Sequence, residues 1–145
     1  MTHLNTLIRL IAPAALTLGA VATDAAAQAV QPPLSLQVYN AGPASFHANA
    51  VLVSGQTDAV LLDAGFTRAD AHRIAAMVLD SGKTLKAIYI SQADPDYYFG
   101  LGVLRQLFPD ARVVATAPTL KKIQASLATK LQVWGPRIGA NAPKA

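Results

Sequence analysis

The stretch Ala87-Ile88-Tyr89-Ile90-Ser91-Gln92-Ala93-Asp94-Pro95-Asp96-Tyr97-Tyr98-Phe99-Gly100 decides how this chain folds. An apolar run over residues 85–90 stops abruptly in a polar, acidic loop, which predicts a buried strand opening into a turn. Downstream, the pattern predicts a short helix over 101–107, a turn at Phe108-Pro109-Asp110 and a strand over 112–116. Upstream, Thr67-Arg68-Ala69-Asp70 has the form of a capping box, and Ala71, Ile74, Ala75 and Val78 recur at helical spacing until Ser81-Gly82. Strand, helix, strand, helix, strand is the order of parallel crossover units.

Before that helix stand two short apolar runs, 47–53 and 59–62, separated by Ser54-Gly55-Gln56-Thr57-Asp58, which reads as a hairpin turn. Both strands are expected to be buried on both faces or nearly so. Residues 34–39 alternate apolar and polar as an edge strand does, and Gly42-Pro43 ends them. Residues 118–131 read as a last helix, and the tail through Trp134-Gly135-Pro136 has no period. The fold class is therefore α/β, a mixed sheet with a β-hairpin followed by βαβ units.

The first 29 residues divide like an export signal: a start carrying Arg9, an apolar stretch from Leu10 to Ala22 broken by Pro13 and Gly19, then Ala27-Gln28-Ala29 for a signal peptidase. The stretch is short for a bilayer span, although an uncleaved anchor is the competing reading. Residues 1–29 are thus expected to be a signal peptide and 30–145 the working domain, periplasmic or secreted. After cleavage, 11 basic and 7 acidic residues remain, thinly spread, with Lys121-Lys122 the only adjacent basic pair. Nucleic-acid binders concentrate such charge on one face, so no nucleic-acid partner is expected, nor any membrane partner after signal cleavage. The absence of cysteine excludes a disulfide staple and a thiolate metal site.

In sheets with parallel crossovers, ligands collect beyond the carboxyl ends of the strands. Asp63 ends one apolar run, in Leu61-Leu62-Asp63-Ala64-Gly65, and Asp94 and Asp96 follow another. Three carboxylates brought close repel unless a cation or hydrogen-bond donors offset them, which points to a metal site. Asp-Pro is also ordinary turn chemistry, and that reading stays open on spacing alone.

The order of these segments, with Asn49-Ala50-Val51-Leu52-Val53 before and Ala111-Arg112-Val113-Val114 after, resembles the first half of the metallo-β-lactamase-fold hydrolases. Their His-x-His-x-Asp-His signature falls on Gln92, Asp94, Asp96 and Tyr97, of which only Asp96 is the family's residue, and Gly100 matches the glycine that follows. The resemblance implies that Gln92, Asp94, Asp96 and Tyr97 hold a divalent metal ion, with Asp96 in the catalytic machinery and Asp63 supporting the site from the neighbouring strand. A metal-bound hydroxide would attack an ester, lactam or similar acyl substrate, a small molecule. An all-oxygen donor set favours manganese, magnesium or iron and disfavours zinc. The family continues into a second half, so either two chains pair through an exposed apolar face or this chain is part of a longer product. A binding module on a decayed hydrolase frame is the rival reading, and an inactive fragment the third.

Among the remaining singled-out residues, His47 is expected at the rim or core of its strand and His72 on the solvated side of the first helix. Tyr98 stands between pocket wall and core, Phe99 is assigned to the core, and Trp134 is left open.

Overall fold

The computed structural model describes residues 33–144, so the signal-like segment lies outside the described residues. Five strands lie side by side in chain order: β1 (Ser35–Asn40), β2 (Asn49–Ser54), β3 (Asp58–Leu62), β4 (Thr84–Ile90) and β5 (Arg112–Ala115). The β1–β2 and β2–β3 pairs are antiparallel, and β3–β4 and β4–β5 are parallel. Helix α1 (Arg68–Asp80) makes the first crossover, and α2 (Pro95–Tyr98) with α3 (Leu101–Leu107) makes the second. A long helix, α4 (Ala117–Ile138), follows β5. The expected class, a mixed sheet with a hairpin followed by βαβ units, is the one observed.

Local chemistry sets these boundaries. Thr67 Oγ1 accepts from the Asp70 amide at 3.0 Å and the Asp70 carboxylate accepts from the Thr67 amide at 3.1 Å, so the capping box starts α1 as its sequence predicts. Gly82, at φ +64°, turns the chain out after it. β2 starts two residues later than the sequence reading. A 3₁₀ turn at Pro43–Ser45 is followed by Phe46 and His47 in the left-handed region, φ 56° and 55°, which leaves His47 exposed and outside the strand.

Helices α1 and α3 pack on each other and on one face of the sheet, burying Ala50 and Leu52 of β2, Leu61 of β3 and Ile88 and Ile90 of β4 against Ile74, Val78 and Leu104. Two successive crossovers in the same direction carry their helices to the same side. The strand register sets Leu36, Val53, Val60 and Ala87 in one row of the opposite face, and Val38, Val51, Leu62, Tyr89 and Val114 in the next. This face is open: Leu36 is 66 % and Val60 36 % exposed. The expectation that β2 and β3 are buried on both faces is corrected accordingly. Valine and leucine on both sides of a strand satisfy its extended backbone whether or not a second layer is present.

Helix α4 is longer than the expected 118–131. It runs through Gly135 and Pro136 because tertiary contacts override the local stop signal: the Trp134 ring lies 5.4 Å from Phe66 and 5.5 Å from Phe46, edge to face, and the Arg137 guanidinium covers it at 5.1 Å. Among the described residues no helix is long and apolar enough to cross a membrane.

Candidate functional site

The carboxyl ends of β3, β4 and β5 open toward α4. Thr116, directly after β5, caps that helix by accepting from the Thr119 amide. Lys130 reaches the loop after β4, Trp134 packs on Phe66 in the loop after β3, and Arg68 donates to the Ala140 carbonyl at 3.1 Å. The helix thus passes over the ends of three strands in turn, like a strap across the mouth of the site.

Asp63 sits just past β3 in the left-handed region, φ 66°, a conformation that aspartate tolerates better than most residues. Its carboxylate accepts from the Ser91 amide and the Ser91 hydroxyl, both at 2.8 Å, and so ties the end of β3 to the end of β4. Burial pushes its pKa up while the two Ser91 hydrogen bonds pull it back, with burial the larger effect. Ala64 donates to the Tyr97 carbonyl at 2.8 Å and Gly100 to the Gly65 carbonyl at 3.0 Å, which stitch α2 onto the same strand end.

Asp94 occupies the position before α2 without capping it. Its carboxylate instead meets Lys130 Nζ at 3.2 Å, and the same ammonium donates to the Ala93 carbonyl. Lys130 also lies 6.0 Å from the centre of the Tyr98 ring. Asp96 lies in the first turn of α2, where burial foremost, and then the charges of Asp94 and Asp63, push its pKa up against the pull of a backbone hydrogen bond and, more weakly, of Lys130. Tyr97 is raised by burial, then by Asp96, Asp63 and Asp94, with Gln92 acting in the opposite sense. Asp63, Asp94, Asp96 and Tyr97 therefore influence one another's charge.

Among the described residues no three His, Cys, Asp or Glu side chains are placed to hold an ion together. Two of the three carboxylates already have partners, Asp94 in Lys130 and Asp63 in Ser91. With Asp94 held by Lys130, the set of Gln92, Asp94, Asp96 and Tyr97 does not fit the implied divalent ion as it stands.

Tyr98 belongs to the core. It is 6 % exposed, edge-on to Phe99 at 5.3 Å, and its hydroxyl is buried without a partner. Burial, and secondarily the charge of Asp94, pushes its pKa up to about 12. Phe99 stacks on Phe66 at 5.9 Å, and His72 is exposed, both as expected.

Sequence reasoning missed the contribution of α4. Between that helix and the loop after β4 lies a cleft of about 540 Å³, bordered by Ser91, Gln92 and Asp94 on one side and by Thr119, Lys122 and Ser126 on the other. Pockets of this size take small organic molecules. Lys121-Lys122 is visible in the sequence as a basic pair, but only the fold brings Lys122 across from the acidic loop.

No family model matches this chain, and no curated protein does. Among solved structures, the metallo-β-lactamase FIM-1 from Pseudomonas aeruginosa, in its mono-zinc form, is similar at 14 % identity with a TM-score of 0.45, over 79 % of this chain and 50 % of that one. TMB-1 is similar at 12 % identity with a TM-score of 0.46, over 79 % of this chain and 52 % of that one. The chain spans about half the length of both.

Proposed function

We propose that this chain is an exported module that binds a small organic molecule in the cleft between the loop after β4 and α4. The cleft itself carries this reading: it lies at the carboxyl ends of parallel strands, has the volume of a small-molecule site, and is bordered by an amide, hydroxyls, the Asp94 carboxylate and two lysines, Lys122 and Lys130, rather than by apolar side chains alone. Export rests on the pattern of residues 1–29, and sequencing the amino terminus of the exported product is expected to find Val30 first. An anchor reading predicts an intact Met1 instead.

The test of the cleft uses ¹⁵N-labelled protein and a panel of small esters, lactams and carboxylates. Binders are expected to shift amides of residues 91–94 and 119–126. Filling the cleft with Ser126→Trp is expected to weaken them by about tenfold or more, because the lost volume displaces ligand contacts. Shifts elsewhere, or equal binding by the variant, would remove the cleft from consideration. The metal-dependent hydrolase implied by the sequence resemblance makes a different prediction for the same preparation. It requires close to one equivalent of a metal that disappears in Asp96→Ala together with hydrolysis of an ester or lactam.

A further inference from the structure

The acidic loop after β4 raises a question that holds whichever molecule fills the cleft: what offsets its charge? Asp94 and Asp96 stand two residues apart, and Asp63, just past β3, adds its charge to theirs. Among the described residues, Lys130 is the only lysine or arginine whose side chain forms an ion pair or hydrogen bond with any of the three. We infer that the Lys130 ammonium is the permanent counter-ion of this loop, standing in for the metal ion that the loop's sequence pattern implies, so that the site works without a bound cation.

Three observations separate this pair from an incidental surface contact. First, the ammonium uses two donors at once, to the Ala93 carbonyl and to Asp94 Oδ1, so it fixes the backbone of the loop as well as its charge. Second, the lysine side chain is only 20 % exposed, although its Asp94 partner is 67 % exposed, whereas Lys86 and Arg73 hold their ammonium and guanidinium largely in solvent at 57 % and 64 %. Its ammonium lies 6.0 Å from the centre of the Tyr98 ring, which covers one side of the charge. Third, the same charge also favours the ionised form of Asp96, more weakly than burial opposes it.

The geometry has a chemical consequence. A divalent ion bound through Asp94 would have to displace Lys130 or sit beside it, and two cations at that separation repel. Removing the ammonium should therefore uncover a weak cation site of hard oxygen donors, suited to manganese or magnesium.

The experiment is Mn²⁺ titration by calorimetry and electron paramagnetic resonance on the full purified chain, comparing the parent with Lys130→Met, Lys130→Arg and the double variant Lys130→Met with Asp94→Asn. Methionine keeps an unbranched apolar stem and removes the charge and donors. The parent and Lys130→Arg are expected to show no saturable uptake in the micromolar range. Lys130→Met is expected to gain about tenfold or more in Mn²⁺ affinity, and the double variant to lose that gain. A parent that takes up one equivalent of Mn²⁺ through Asp94, or a folded Lys130→Met variant that gains nothing, would overturn the inference. If circular dichroism shows that Lys130→Met does not fold, Asp94→Asn in the parent decides. It is expected to leave Mn²⁺ uptake absent and to speed amide hydrogen exchange in the middle turns of α4, and unchanged exchange would show that the pair holds nothing in place.

Discussion

Gly100→Ala is expected to destabilise the protein by about 3 kcal/mol or more, the largest effect of any single methyl group added to this fold. The reason is space. Gly100 has an ordinary helical φ of −73°, so alanine meets no conformational barrier there. A Cβ at this position would lie 2.0 Å from the Ala64 carbonyl oxygen and 2.8 Å from the Ala71 Cβ. The carbonyl is main chain, held in a segment whose neighbours are themselves bonded: Asp63 donates to the Tyr89 carbonyl and Gly100 to the Gly65 carbonyl. It cannot swing aside as a flexible side chain would. Relief requires α3 to move away from α1, which opens the packing of Leu104 against Ile74 and Val78. Urea unfolding checks this through the midpoint at constant m-value. Gly102→Ala, two residues on, is the control, since nothing lies within 4 Å of its added methyl and alanine favours the helix. A Gly100→Ala midpoint equal to that of Gly102→Ala would mean that α3 does not meet the Ala64 segment as described.

This glycine shows what was legible in the sequence. It stands out as the residue after the acidic loop, but the sequence does not say whether it is there for a turn or for room, and only the approach of Ala64 answers that. Elements whose signals are local were readable: the alternation of β1, the hairpin turn at residues 54–58, the capping box and Gly82 around α1. Features set by distant contacts were not. Pro136 reads as a helix stop, yet aromatic packing on Phe46 and Phe66 carries α4 past it. Valines at alternate positions of β2 and β3 fit a strand covered on one face or on two. Within the site, Asp63, Asp94 and Asp96 could be placed because strand ends are predictable from apolar runs. Lys130 could not, because it lies 36 residues from Asp94 on a helix where an isolated lysine reads as solvated. That residue changes the reading of the loop, since Asp94 already has a counter-ion within the chain.

Asp70→Ala is expected to cost about 3 kcal/mol, and the loss should come with a change in pH dependence. Asp70 is 4 % exposed. Its carboxylate accepts from the Tyr39 hydroxyl at 2.7 Å, the Ser45 hydroxyl at 2.6 Å, and the Thr67 hydroxyl and amide at 2.6 and 3.1 Å. One side chain thus joins β1, the 3₁₀ turn before β2 and the start of α1, and alanine would leave all these donors without their acceptor. Burial alone would raise the Asp70 pKa, but the hydrogen bonds from Ser45, Thr67 and Tyr39 together outweigh it and hold the carboxyl below its ordinary 3.8. A carboxyl with a lowered folded pKa contributes stability that is fully present above the unfolded value and is lost as pH falls through the folded one. The parent should therefore lose this contribution on acidification below about pH 4. Asp63 and Asp96, whose pKa values are raised, act in the opposite direction and partly mask the loss in the parent. The difference between the parent and Asp70→Asn removes that masking, because the other two carboxyls are common to both. Plotted against pH, the stability difference should be flat near neutrality and shrink below pH 4, where the parent's carboxylate takes up its proton. A difference that stays constant down to pH 2 would mean that the cluster is held by shape alone and that the charge of Asp70 contributes nothing to it.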